Sequence, residues 1–335
     1  MVCHLNKLQR MTIGADMTIA VHHIRVHATA TAPLQLHVHT GAALRGAFFT
    51  ALWERFCTNH AAKTCVECPL LQACPVSSLM APHRDDSPRG NDVPRPFAIR
   101  PPIHHVGSFQ PHEQFSWGLT LIGQSTNLFP YVAMAFHMMG HNGVGKRVAE
   151  NDWERGRFVV EHVDAVQLLH DHIQPIQTAG SQRIHVPNLP MTWADAEHIA
   201  QSLPNDRLTL HFMTPLRIIE QKILLKVPQL RPIIQRLTER HDGLAREYGG
   251  EPFAYEQRLA FLNAAATIKL VQNDTHWVDL DSYSSRQRRK TPIGGLVGTA
   301  HYAGDLGQLL PLLVWGSVIQ VGKDTTKGNG VYRIS

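Results

Sequence analysis

Two short loops rich in glycine and positive charge, GHNGVGKR (140–147) and VGKDTTKGNG (321–330), each stand just before a closing strand pattern. Ahead of each loop the apolar residues run in the same order: strand, helix, strands, helix. This echo lies in the order of elements and not in the letters. It narrows the chain to a few α+β layouts, because each helix has to cover one face of a sheet built by the strands around it.

In the first half, Thr18–Ala28 alternates apolar and polar residues, with a phase slip at His22–His23 that reads as a bulge. LQLHVHT (34–40) alternates cleanly and sets Gln35, His37 and His39 on its polar side. Leu44, Ala47, Phe48, Ala51 and Leu52 form a helical stripe that runs into Phe56. Phe115–Gly123 reads as a strand, and a helix follows from Pro130 to Gly140. The second half opens on the strand pattern RLTLHFMTPLRII (207–219). Leu230, Ile233, Ile234, Leu237 and Leu244 then mark a helix that ends at Gly249–Gly250. A short helix and strand occupy Glu256–Val271, another helix lies near Asp305–Leu313, and GVYRI (330–334) is the last strand.

The expected fold is α+β, with two tandem ferredoxin-like domains at 17–165 and 206–335. Residues 166–205 lack sustained periodicity and read as a linker. MVCHLNKLQRMTIGAD (1–16) reads as a disordered leader or a misplaced start, with Met11 and Met17 as rival starts.

Of the 335 residues 43% are hydrophobic, which excludes a disordered chain. No apolar run reaches membrane-spanning length and no signal-peptide core stands at the N-terminus, so the expected place is the cytoplasm, with no membrane partner. The net charge of +5 leans toward an anionic partner. The 22 histidines widen the choice of acid–base groups.

Four of the five cysteines fall in 57–74, as C-x7-C-x2-C-x5-C: Cys57, Cys65, Cys68 and Cys74. That is metal spacing, since the inner pair chelates one ion from a single turn and the outer pair completes a tetrahedron. Structural zinc is the favoured ion. The Cys74-Pro75 ending keeps an iron–sulfur cluster open, and His60 is a substitute ligand. A redox protein using this site is one alternative reading of the chain.

In the last loop Gly322, Gly328 and Gly330 permit positive φ and close approach to bare backbone, while Lys323 and Lys327 add charge. A tight surface turn has the same composition. Lys146 and Arg147 give the first loop a similar character. SSRQRRKTPIGG (284–295) carries Arg286, Arg288, Arg289 and Lys290 in five positions; on an extended segment Arg286, Arg288 and Lys290 share a face suited to successive phosphates.

GAALRGAFFTALWERFC…CVECPLLQACPVSSL, RPFAIRPP, TLIGQS…PYVAMAF…GHNGVGKR, FMTPLRI, SSRQRRKTPIGGLVG and VGKDTTKGNGVYRI occur in this order from about Leu34 to the C-terminus. Together they resemble the CRISPR-associated repeat-cleaving endoribonucleases of the RAMP superfamily, and within them the branch with a cysteine cluster after the first helix. The resemblance implies metal-independent cleavage of CRISPR repeat RNA in a precursor transcript. The upstream 2′-hydroxyl attacks its own phosphate and leaves a 2′,3′-cyclic phosphate. It implies His39 as the acid–base residue, His37 as its reserve and Arg45 as the basic partner, and it has the terminal glycine-rich loop contact RNA; Lys146, Arg147 and the arginine-rich stretch are the further RNA-binding candidates. Other CRISPR effector subunits are further partners it allows, reached through the retained guide RNA. A non-catalytic guide-RNA-binding subunit of an effector complex is its alternative.

Overall fold

Alternation along the first strand sorts its side chains to opposite sides. Ile24, Val26, Ala28 and Ala30 are buried under helices, while Arg25, His27 and Thr29 are partly exposed on the other, open face. The computed structural model describes residues 19–36, 40–84, 93–103, 107–181, 183–284 and 289–335. The leader therefore lies outside the described residues.

The first half holds β1 (Val21–Ala30), β2 (Leu34–Gln35), α1 (Thr40–Phe56), α2 (Pro75–Met80), β3 (Phe97–Arg100), β4 (Ser108–Phe109) and β5 (Gln114–Ile122). It continues with α3 (Phe129–Asn142), β6 (Val144–Arg147), β7 (Arg155–Gly156), β8 (Phe158–Gln167) and β9 (His172–Gln177). After α4 (Trp193–Ala200) come β10 (Arg207–Leu216), β11 (Ile219–Glu220), β12 (Ile223–Leu224), α5 (Leu230–Tyr248) and α6 (Tyr255–Thr267). The chain then runs through β13 (Lys269–Val278), β14 (Asp281–Ser284), β15 (Arg289–Pro292), β16 (Gly295–Ala303), α7 (Leu310–Ile319) and β17 (Tyr332–Ile334).

The first sheet has the order β3-β5-β1-β8-β9 and the second β13-β16-β10-β17, every pair antiparallel. Ignoring the added edge strand β9, the two orders are the same when each half is numbered from its own first strand. The core of the first half packs Leu44, Phe48 and Leu52 of α1 and Val132, Phe136 and Met139 of α3 onto the sheet. The ring of Phe48 lies 5.5 Å from that of Phe97, edge-on. Each such side chain contributes about 1.5–3 kcal/mol by leaving water. In the second half α5 and α7 cover Leu208, Leu210 and Phe212.

The halves are bound together beside β3. Arg100 Nη2 donates to the carbonyl of Ser317 at 2.8 Å, Gln320 Nε2 to that of Ile99 at 2.8 Å, and the Tyr248 hydroxyl to that of Pro94 at 2.5 Å. Among the described residues no helix is long and apolar enough to cross a membrane.

Several sequence expectations change. The phase slip at His22–His23 is not a bulge, since β1 and β5 stay in register through it. His23 is buried on the open face, where Gly118 leaves space for its ring. The irregularity falls instead between His27 and Ala28, against β8. Within LQLHVHT only Leu34–Gln35 is assigned as strand, and 37–39 lie outside the described residues. The stretch 166–205 is no free linker: it finishes β8, adds β9 to the sheet edge and forms α4, which packs on α7. An edge strand containing proline shows no clean alternation, and β9 carries Pro175. The last helix starts at Leu310 and not near Asp305, with Pro311 in its first turn. It is apolar nearly all round, so no stripe marks its ends.

Candidate nucleic-acid interface

The terminal glycine loop docks on the protein itself. Gly328 has φ of 88°, and a Cβ placed there would stand 2.9 Å from Pro101 Cδ and 3.3 Å from Gly41 Cα. At Gly41 a Cβ would collide with the carbonyl oxygen of Lys327, and at Gly330 (φ 74°) with that of Val321. These glycines therefore let the loop close against the start of α1 and the end of β3. Gly322 (φ 85°) similarly leaves room for the carbonyl of Arg217.

Most of the loop's amides are already satisfied within the protein and do not form an open anion nest. The N–H groups of Lys323, Lys327, Gly328, Asn329 and Gly330 all donate to backbone carbonyls, at 2.8–3.2 Å. Lys327 Nζ is paired with Asp324 Oδ1 at 2.9 Å, while Lys323 is exposed.

What the docked loop creates is a cleft of about 610 Å³. Arg45 of α1, Arg95, Arg240 of α5, Lys327 of the loop, and Tyr283 and Thr291 of the β14–β15 hairpin line it. Arg240 Nε donates to the carbonyl of Ile319 at 2.8 Å, but its Nη2 is buried with no hydrogen-bond partner among the described residues. Burial lowers its pKa to about 10, so it keeps its charge at neutral pH. A buried guanidinium donor facing a cleft is suited to a phosphate oxygen.

Of the site residues read from the sequence, Arg45, Cys65, Gly322 and Lys327 share this cleft. Arg289 and Lys290 are exposed on β15, where Lys290 pairs in register with Tyr283. Lys146 and Arg147 are exposed on β6, which packs against β2 and α1. His37, His39, Arg286 and Arg288 lie outside the described residues. Thr40, the residue after His39, is buried and begins α1. Cys57, Cys65, Cys68 and Cys74 are partly buried, form no disulfide and line a second cavity, which shares Phe49, Thr50 and Cys65 with the cleft.

Two further groups had no sequence signal beyond strand alternation. Arg25, Arg100 and Arg333 come close enough for Arg25 and Arg333 to lower the pKa of Arg100, after the larger effect of burial, to about 10. Arg25 and Arg333 form no side-chain hydrogen bond or ion pair among the described residues. The second group is His27, His162 and Asp164, on β1 and β8. The two rings stack at 4.0 Å with 13° between planes, and their Nε2 atoms lie 3.1 and 3.9 Å from Asp164 Oδ2. Burial, then the charge of His162, holds His27 below its ordinary pKa, with Asp164 acting against them. His23 is lowered further, by burial and then by Arg100 and Arg25, and is neutral at physiological pH.

Residues 18–189, just over half of the chain, match the family model AF_1859_N, described as an N-terminal domain. The chain belongs to that family. Its residues 210–332, a little over a third of the chain, match the family model of the CRISPR-associated endoribonuclease Cas6. None of the curated proteins matches it. Among solved structures, a Cas6 product complex has a TM-score of 0.56 at 14% identity, covering 94% of this chain and 99% of that one. Thermus thermophilus Cas6 has a TM-score of 0.54 at 13% identity, covering 95% and 99%. A partial Cas6-RT-Cas1–Cas2 complex has 0.59 at 12%, covering 95% of this chain but 46% of that one. At such identities the likeness is one of fold.

Proposed function

We propose that this chain is a Cas6-type endoribonuclease that cleaves CRISPR repeat RNA in precursor transcripts. The observation that carries the reading is the cationic cleft between α1 and the terminal loop, in a chain whose second half matches Cas6. The same strand order in both halves supports two tandem ferredoxin-like domains.

The cleavage runs without a metal. The 2′-oxygen attacks the adjacent phosphorus, the bond to the 5′-oxygen breaks, and a 2′,3′-cyclic phosphate and a 5′-hydroxyl are left. One group takes the 2′ proton and another protonates the 5′-oxygen. His39 is the proposed acid–base residue, with His37 in reserve. Arg45 is the proposed cation for the phosphorane, whose added negative charge a fixed guanidinium stabilises more than the ground state. Lys323, Arg289, Lys290, Lys146 and Arg147 are proposed to hold phosphates outside the cleft, and a mature guide RNA that stays bound is the route to other effector subunits.

Incubation with genomic repeat RNA in EDTA tests the mechanism. One cut per repeat is expected, with a cyclic phosphate on the upstream product, and a single 2′-deoxy substitution at the cut should abolish it. A strict need for Mg²⁺ would refute it.

Arg25 of the first sheet and Arg333 of the second are proposed to extend the RNA path from one sheet to the other. Arg25→Ala with Arg333→Ala should weaken RNA binding at every sequence and flatten the log–log salt dependence by about one unit for each phosphate left without its cation. An unchanged slope in the folded double variant would place the RNA elsewhere.

A further inference from the structure

The spacing of the four cysteines favours zinc, but their arrangement favours a larger group. We propose that Cys57, Cys65, Cys68 and Cys74 ligate a [4Fe–4S] cluster in the cavity they line behind the cleft. All four belong to one cavity of about 330 Å³, walled by Phe49, Trp53, Leu71 and Val76. Turns joined by Cys68 N–H to the Cys65 carbonyl (3.2 Å), Leu71 N–H to that of Cys68 (3.0 Å) and Ala73 N–H to that of Leu70 (3.1 Å) carry the chain from Cys65 to Cys74 around it.

A single zinc ion with Zn–S bonds of about 2.3 Å draws four thiolates to about 3.8 Å of one another. No three of these thiols are so placed. Among the described residues the one set of three or more potential ligand atoms lying within 4.8 Å of one another is that of His27, His162 and Asp164. A four-iron cubane instead takes one thiolate at each iron corner, which holds the sulfurs further apart with an inorganic core between them. The cavity between the thiols gives that core its room, where one ion would leave most of the space empty. Its walls are largely apolar, and Asn59 Nδ2 stands 3.5 Å from Cys68 Sγ, a weak donor to the sulfur of a kind that tunes such clusters. On ligation each thiol gives up its proton, and two ferrous ions, two ferric ions and four sulfides are supplied as the co-reactants, so the core forms with no net oxidation or reduction.

The test uses the full chain, purified without oxygen and then reconstituted with equal amounts of ferrous and ferric iron and with sulfide, with zinc in a parallel arm. The expected protein is brown, absorbs broadly near ~400 nm, and holds about four iron and four sulfide per chain. Alkylation of the folded wild type, read by mass spectrometry, should spare Cys57, Cys65, Cys68 and Cys74 until the iron is removed by acid. Cys65→Ser with Cys68→Ser should lose the colour and the iron. A colourless chain with about one zinc, or none, after reconstitution overturns the proposal. So does iron retained in the double variant, or alkylation of Cys57, Cys65, Cys68 and Cys74 in the brown protein before the iron is removed. The alkylation readout needs no variant to fold.

Discussion

Gly328→Val should lower single-turnover cleavage by about 100-fold. Two costs act together at this position. A β-branched residue at φ of 88° is strained by about 1–2 kcal/mol. Its Cβ would also start 2.9 Å from Pro101 Cδ and 3.3 Å from Gly41 Cα, so the loop has to move away from the start of α1. Displacement of a catalytic group by about 1 Å costs on the order of 10²-fold in rate. Lys327→Ala is the comparison: it removes a lysine already paired with Asp324 and leaves the docked backbone in place, so its effect should be smaller. Raising or lowering salt should rescue neither the rate nor the affinity of Gly328→Val, because the loss is one of shape. Cleavage assays beside a thermal melt decide the matter. If the valine variant melts lower but cleaves normally, the loop is only a turn that stabilises the fold.

His39→Ala should lower the single-turnover rate by about 10²–10⁴-fold while RNA affinity changes little. The assignment rests on the position of His39 in LQLHVHT, immediately ahead of the helix whose Gly41 meets the terminal loop. Arg45, one turn further on, lines the cleft in which the scissile phosphate is proposed to lie. His37→Ala, two residues earlier, serves as the control and should change the rate far less. A His39→Ala protein of normal rate would transfer the acid–base role to His37 or to an arginine of the cleft. A matched loss of rate and affinity would instead give His39 a binding role.

Much of the framework was legible in the residues. Leu44, Phe48 and Leu52 recur at helical spacing because one face of α1 has to meet the sheet, and they are fully buried there. The repeated order of elements was readable for the same reason: each half pairs amphipathic helices with alternating strands. The nearly all-apolar α7 and edge strand β9 were misplaced or missed, since neither presents two contrasting faces.

The site was legible only in part. Composition singled out the glycines of the terminal loop, and positive φ at Gly322, Gly328 and Gly330 is what glycine is suited to. Which partner Gly328 approaches could not be read, because Pro101 and Gly41 lie more than two hundred residues away along the chain. Arg45, Arg95, Arg240 and Lys327 meet in one cleft only after the loop docks on α1. Arg25, Arg100 and Arg333 likewise belong to three strands of two sheets, and no spacing rule joins them. The cysteines divide along the same line. Short spacing within one connection marks a metal-binding segment from sequence alone, since nearby residues stay nearby in any fold. The separation of the thiols, and the cavity they enclose, depend on how α1 and α2 pack around them. Local patterns thus determined the elements and the candidate ligands, while tertiary packing decided which charges converge and how much space lies between the sulfurs.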